Sequence, residues 1–149
     1  MAMHRSAILV FSFLLVGWCA APTWSAPAKA EPGTMWVILN HVKADRRANF
    51  EAFLYERLLP ALQKASASDQ TSAKLHKQTR VLVPKEANSD GTYTYIWVMD
   101  PVVPGADYDY RAILERAYSK ADTDGALALV DGAMASPQVV YVVASSTRW

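Results

Sequence analysis

Residues Met35 to Lys43 read MWVILNHVK, a run of apolar positions ending in the polar pair Asn40-His41. On the strand this predicts, Trp36, Ile38, Asn40 and Val42 share one face, and Val37, Leu39, His41 and Lys43 share the other. Both faces are largely apolar, so both are expected to be covered. The spacing then changes. Phe50, Phe53, Leu54, Leu58, Ala61 and Leu62 recur at intervals of three and four, which is one stripe of an amphipathic helix. Asp45 reads as its N-cap, and Pro60 as the place where it kinks or ends. Arg57 borders the stripe, with a stem that can pack and a head that reaches water.

Ala65 to Ser72 (ASASDQTS) has the composition of a loop. Leu75 to Val83 reads as a second strand, stopped by Pro84. Asn88, Asp90 and Gly91 mark a turn. Thr92 to Met99 alternates cleanly, with Tyr93, Tyr95, Trp97 and Met99 on one face and Thr94, Ile96 and Val98 on the other. Two such runs about a turn predict an antiparallel hairpin. Tyr110, Ile113, Leu114, Ala117 and Tyr118 form a second helical stripe. The segment Asp122-Thr123-Asp124-Gly125 reads as an interruption, with Asp124 capping a further helix closed by Pro137. Gln138 to Ala144 (QVVYVVA) is a continuous β-branched strand, expected to be buried on both faces.

The order β-α-β-β-α-β predicts an α+β domain of the split-βαβ, ferredoxin-like kind: an antiparallel sheet with helices on one face. At 149 residues the chain has room for one such domain. Its first thirty residues read differently. Arg5 precedes an uncharged apolar run, Ala7 to Ala21, followed by small-residue cleavage patterns ending at Ala28 and Ala30. This is the pattern of a cleavable signal peptide, and it implies a secreted or periplasmic domain with no membrane attachment after cleavage. The run is short for a membrane span. The expected organisation is a signal peptide over 1–30, a linker over 31–34 and one domain over 35–149. Cleavage after Ala30 removes Arg5, Lys29 and the single cysteine, Cys19, and leaves thirteen basic against fourteen acidic residues. A net charge near zero argues against a nucleic-acid partner. A thiol-free domain has no disulfide and no thiolate chemistry.

With its long first helix ending in LLPAL and its two-sided apolar strands, the chain resembles the dimeric α/β-barrel superfamily. That group includes antibiotic-biosynthesis-type, haem-degrading, NIPSNAP-like and EthD-like proteins. The resemblance implies a homodimer in which two sheets face each other, with ligands between sheet and helices or inside the barrel. Haem-degrading members carry an asparagine on the first strand, a tryptophan on the third and a histidine on the second helix. Asn40 and Trp97 occupy comparable places, but Tyr108 to Met134 contains no histidine, so the implied cofactor set is none.

The candidate site residues follow from parity and chemistry. His41 reads as a general base or as a hydrogen-bonded strand-end histidine. His76 and Arg80 share parity on the expected second strand, where they would hold a carboxylate or phenolate or simply edge the sheet. Asn40 reads as a ligand anchor or a backbone partner. Tyr93, Tyr95 and Trp97 read as a flat wall for an aromatic ligand or as filler of a barrel or dimer interface. No metal-ligand spacing appears. Three activities are compatible with these residues: a dimeric exported domain that binds a small apolar or aromatic ligand, a cofactor-independent monooxygenase using His41 or His76, and, lowest in rank, haem binding or degradation. Fold alone does not decide among them.

Overall fold

The computed structural model describes residues 33–144. The expected signal peptide lies outside these residues. They form an α+β domain with a four-stranded antiparallel sheet in the order β2-β3-β1-β4. The strands are β1 (Thr34–Val42), β2 (Thr79–Leu82), β3 (Tyr93–Met99) and β4 (Val139–Ala144). That order is compatible with a ferredoxin-like arrangement. Among the described residues no helix is long and apolar enough to cross a membrane.

Alternation along β1 and β3 decides where the core lies. Trp36, Ile38, Asn40 and Val42, with Tyr95, Trp97 and Met99, are buried beneath the helices. Phe50, Phe53, Leu54, Leu58 and Leu114 meet them from the helical side, each fully buried.

The first helical stretch is continuous but changes its winding. A 3-10 turn at Ala44–Arg46 leads into α1 (Arg47–Ala52), then a π-helical turn over Phe53–Leu58, then α2 (Leu59–Ser66). Asp45 lies inside the 3-10 turn, and the entry residue is Lys43, with no side-chain cap, so the expected Asp45 cap does not form. Nor does Pro60 end the helix. It falls in the first turn of α2, immediately after the π turn, where a missing backbone donor is tolerated. Wider winding there frees a carbonyl as well: Arg57 O accepts from the Tyr118 hydroxyl at 3.2 Å.

Two expectations along the middle of the chain are overturned. The expected loop Ala65 to Ser72 is mostly helical. After two turn residues, α3 (Gln70–Gln78) begins, so the expected second strand is helix over its first half and shortens to β2. Asp69 holds the helix start, its carboxylate accepting from Ser72 N at 2.8 Å and from Ser72 Oγ at 2.6 Å. Further on come α4 (Tyr110–Glu115) and α5 (Lys120–Val130). Residues Asp122 to Gly125 do not interrupt the second of these. They lie within it, and the cap is Ser119 rather than Asp124.

The last strand is also corrected. β4 lies at a sheet edge, and Val139, Tyr141 and Val142 are exposed rather than buried on both faces. Its lead-in is tied to the end of β1, where Ala135 N donates to His41 O at 2.7 Å and Lys43 N to Ala133 O at 3.0 Å.

Candidate functional site

Register divides the candidate residues between two faces. Asn40 stands opposite Tyr95 on the helical face, and His41 stands opposite Thr94 on the open face. Tyr93 and Trp97 share the side of Asn40. Arg80 pairs with Val98 and so shares the side of His41. His76 is on neither face. It sits exposed in the last turn of α3, so the expected pairing of His76 with Arg80 on one strand does not exist.

On the helical side, the aromatic row is spent on packing. Tyr95 lies 4.7 Å from Phe50 between ring centroids, and Trp97 lies 5.8 Å from Tyr110, which lies 5.2 Å from Phe53. The row thus fills the space between sheet and helices. Its outer end is held by a short polar chain. Glu51 Oε1 accepts from the Tyr95 hydroxyl at 2.6 Å and from Arg47 Nε at 2.9 Å. The Arg47 guanidinium lies 4.2 Å from the centre of the Tyr93 ring. The Tyr95 hydroxyl, and then Arg47, hold the Glu51 carboxyl below its ordinary value. Burial, and then Glu51, push the Tyr95 phenol up.

Deeper in the same layer is a polar nucleus that sequence reasoning found only in part. Gln138, at the entry to β4, donates from Nε2 to Asn40 Oδ1. The Tyr110 hydroxyl neighbours the Gln138 amide, and burial raises its phenol above the usual range. Asn40 Nδ2 and Trp97 Nε1 are both buried donors with no hydrogen-bond partner among the described residues. Asn40 is fully buried. Buried donors are nearly always paired, so two on one sheet face are unusual. They suit an acceptor-bearing group, such as a carbonyl, phenolate or quinone oxygen, if one enters. Gln138 and Tyr110 were missed as polar partners because each sits in an apolar pattern: β4 in one case, the α4 stripe in the other.

The open face carries different chemistry. Met35, Val37 and Leu39 on β1 lie beside Ile96 and Val98 on β3 and beside Val139, Tyr141 and Val143 on β4. Leu82 extends the patch to β2 and is half exposed. At one end, His41 Nδ1 is 3.0 Å from Thr94 Oγ1, which also accepts from Asn88 Nδ2 at 2.7 Å. Among the described residues, no group of three or more His, Cys, Asp and Glu side chains could hold a metal.

No family model matches the chain. No curated protein and no solved structure matches it significantly either.

Proposed function

We propose that this chain is an exported, self-associating domain whose open sheet face is buried against a second copy, in the manner of a dimeric α/β barrel. One observation carries the reading: the face opposite the helices is apolar along most of β1, β3 and β4 and reaches Leu82 on β2, yet belongs to no buried core of its own among the described residues. Four strands about 4.8 Å apart, each about six residues long, give a slab of about 400 Å² in projection, and side-chain relief adds to that. A patch of this size matches the largest apolar patch of an ordinary monomer, which is often functional. In projection it is about half of the roughly 800 Å² per partner of a standard interface, before side-chain relief is added. A two-fold axis would set the same strands against themselves, with His41 and Arg80 toward the rim.

Sedimentation equilibrium of the purified chain tests this. A dimer is expected, and Leu39→Glu should convert it to a folded monomer, because the two-fold axis brings two carboxylates into an apolar contact. A monomeric parent, or a variant that stays dimeric, refutes the proposal.

A second reading has its own support. The unpaired Asn40 Nδ2 and Trp97 Nε1 favour a small aromatic ligand with an acceptor oxygen, held between sheet and helices. Such a ligand requires the Tyr110 and Phe53 rings to move aside. Monooxygenase chemistry at this place would lack both expected bases, since His41 and His76 lie elsewhere. Phenol and quinone titrations that quench Trp97 fluorescence in the parent chain, and fail to in Asn40→Leu, would support this reading. Identical curves would end it.

A further inference from the structure

The last strand is a sheet edge left open on both of its faces. β4 is outermost, and no strand lies beyond it among the described residues. Tyr141 stands opposite Val37 on the open face and is 52% exposed. Val142 stands opposite Trp36 on the helical side and is nevertheless 56% exposed, so the helices do not cover it. Stacking of open faces alone leaves Val142 in water. Exposed edges are ordinarily blunted by charge, proline or brevity. β2, the other edge, is short, carries Arg80 and is followed by Pro84 and Lys85. β4 uses none of these devices. No charged residue lies between Asp131 and Arg148, and Pro137 precedes the strand.

The backbone of β4 divides by parity. On its side of β1, His41 O accepts from Ala135 N and Lys43 N donates to Ala133 O, whereas Thr34 O accepts from Val102 N on the β3 side. Odd-numbered residues of β1 thus aim their backbone groups at β4, and their partners Val139, Tyr141 and Val143 return those bonds. Val140 and Val142 therefore aim N–H and C=O away from the sheet. The sequence along this edge is symmetric as well: Val139 to Val143 reads VVYVV in either direction.

We infer that β4 pairs antiparallel with β4 of a second copy, about a two-fold axis at Tyr141. Val140 of one copy then faces Val142 of the other, and the two exchange both N–H···O bonds, which is the pairing their outward groups require. The two Tyr141 side chains meet across the axis as a non-hydrogen-bonded pair, where cross-strand aromatic contacts are favourable. Val142 gains Val140 of the other copy as its neighbour on the helical side. The inference rests on the self-association proposed above and places its axis. Curling of two antiparallel sheets joined along such a seam brings their open faces together, so one axis serves both contacts. The seam alone is a single strand pair, too small to hold two chains together without the apolar faces.

Disulfide trapping in the full chain tests it, with Cys19→Ser removing the single native cysteine. Tyr141→Cys should oxidise to a covalent dimer, because directly opposite strand residues lie about 4.5–5.5 Å apart between Cα atoms, within disulfide reach. Val139→Cys should not, since its counterpart lies four residues along the seam, about 14 Å away. Stacked open faces alone do not link Tyr141→Cys, their sheets being about 10 Å apart. Val142→Pro supplies a second readout: it removes an outward donor and spares the bonds to β1. It should raise the dimer Kd by about tenfold or more in sedimentation equilibrium, while far-ultraviolet circular dichroism reports a folded chain. A dimer that fails to cross-link through Tyr141→Cys, links equally through Val139→Cys, or keeps its affinity in Val142→Pro overturns the edge pairing and leaves the open-face contact standing. A monomeric parent overturns both.

Discussion

Tyr95→Phe separates a structural latch from a ligand wall. The Tyr95 ring is fully buried, and its hydroxyl donates to Glu51 Oε1 at 2.6 Å. Phenylalanine keeps the ring and its 4.7 Å contact with Phe50, so no cavity opens. What is lost is one hydrogen bond to a charged group, worth about 1.5–3 kcal/mol when well shielded. The Glu51 side chain is 32% exposed, so water replaces part of the lost bond and the expected cost falls to about 1–2 kcal/mol. The same bond is the first cause of the lowered Glu51 pKa, ahead of Arg47. A carboxyl whose folded pKa is depressed stabilises the fold above its unfolded value of 4.5, and that contribution disappears as pH falls through the folded value. The parent should therefore exceed Tyr95→Phe in urea resistance at neutral pH, and the gap should narrow at about pH 3. Urea melts of both proteins at one fixed concentration measure this, since association would otherwise alter apparent stability. Equal stability at neutral pH, or a gap that acid leaves unchanged, refutes the latch.

Other expected outcomes rest on single features. Gly125→Ala should stabilise the domain by about 0.5–1 kcal/mol in thermal melts. Its position is inside α5, and an added Cβ meets nothing within 4 Å. Ser119→Ala should cost about 1 kcal/mol, because it removes the cap on Asp122 N, and helical circular dichroism should fray accordingly. Asn40→Val should leave stability unchanged or raise it by up to about 2 kcal/mol. It gives up the Gln138 bond but removes a buried donor that has no partner among the described residues. A net loss of stability in chemical denaturation would show that Nδ2 is satisfied in the folded protein.

Parity was the most legible property of this sequence. The two faces of β1 and β3 follow from alternation alone, because both strands are central and each residue's side is fixed by a period of two. The stripe from Phe50 to Leu62 was legible for the same kind of reason. The elements misread are those with thin apolar signals. α3 buries only Ser72 and Leu75, and most of the rest of QTSAKLHKQ is exposed, so helical periodicity has almost nothing to register. Its start was nonetheless marked by Asp69 and Ser72, three residues apart. α5 carries the matching signal in Ser119 and Asp122, whose carboxylate accepts from the Ser119 hydroxyl at 2.7 Å. Capping pairs would have placed both helices where hydropathy did not. Gly125 misled because a glycine in an exposed helix interior costs only about 1 kcal/mol, too little to break α5. The edge position of β4 could not be read at all. Strand propensity reports fit to a pleated surface and is silent on which strand lies outermost.

The division of candidates by face limits what any chemistry here can use. Asn40 and His41 are covalent neighbours, yet one is sealed under the helices while the other looks out through the open sheet. Among the described residues, a reaction needing a base beside the aromatic row would have to recruit Glu51, the carboxylate hydrogen-bonded to Tyr95. That carboxylate is already engaged by Tyr95 and Arg47 and is held in its charged, weakly basic form. Proton abstraction is therefore poorly served on the helical side, whereas hydrogen-bond donation is not, since Asn40 Nδ2 and Trp97 Nε1 have no partner there among the described residues. In the readings proposed above, the interior would hold an oxygen acceptor rather than activate a substrate, and the apolar open face would take another copy of the chain.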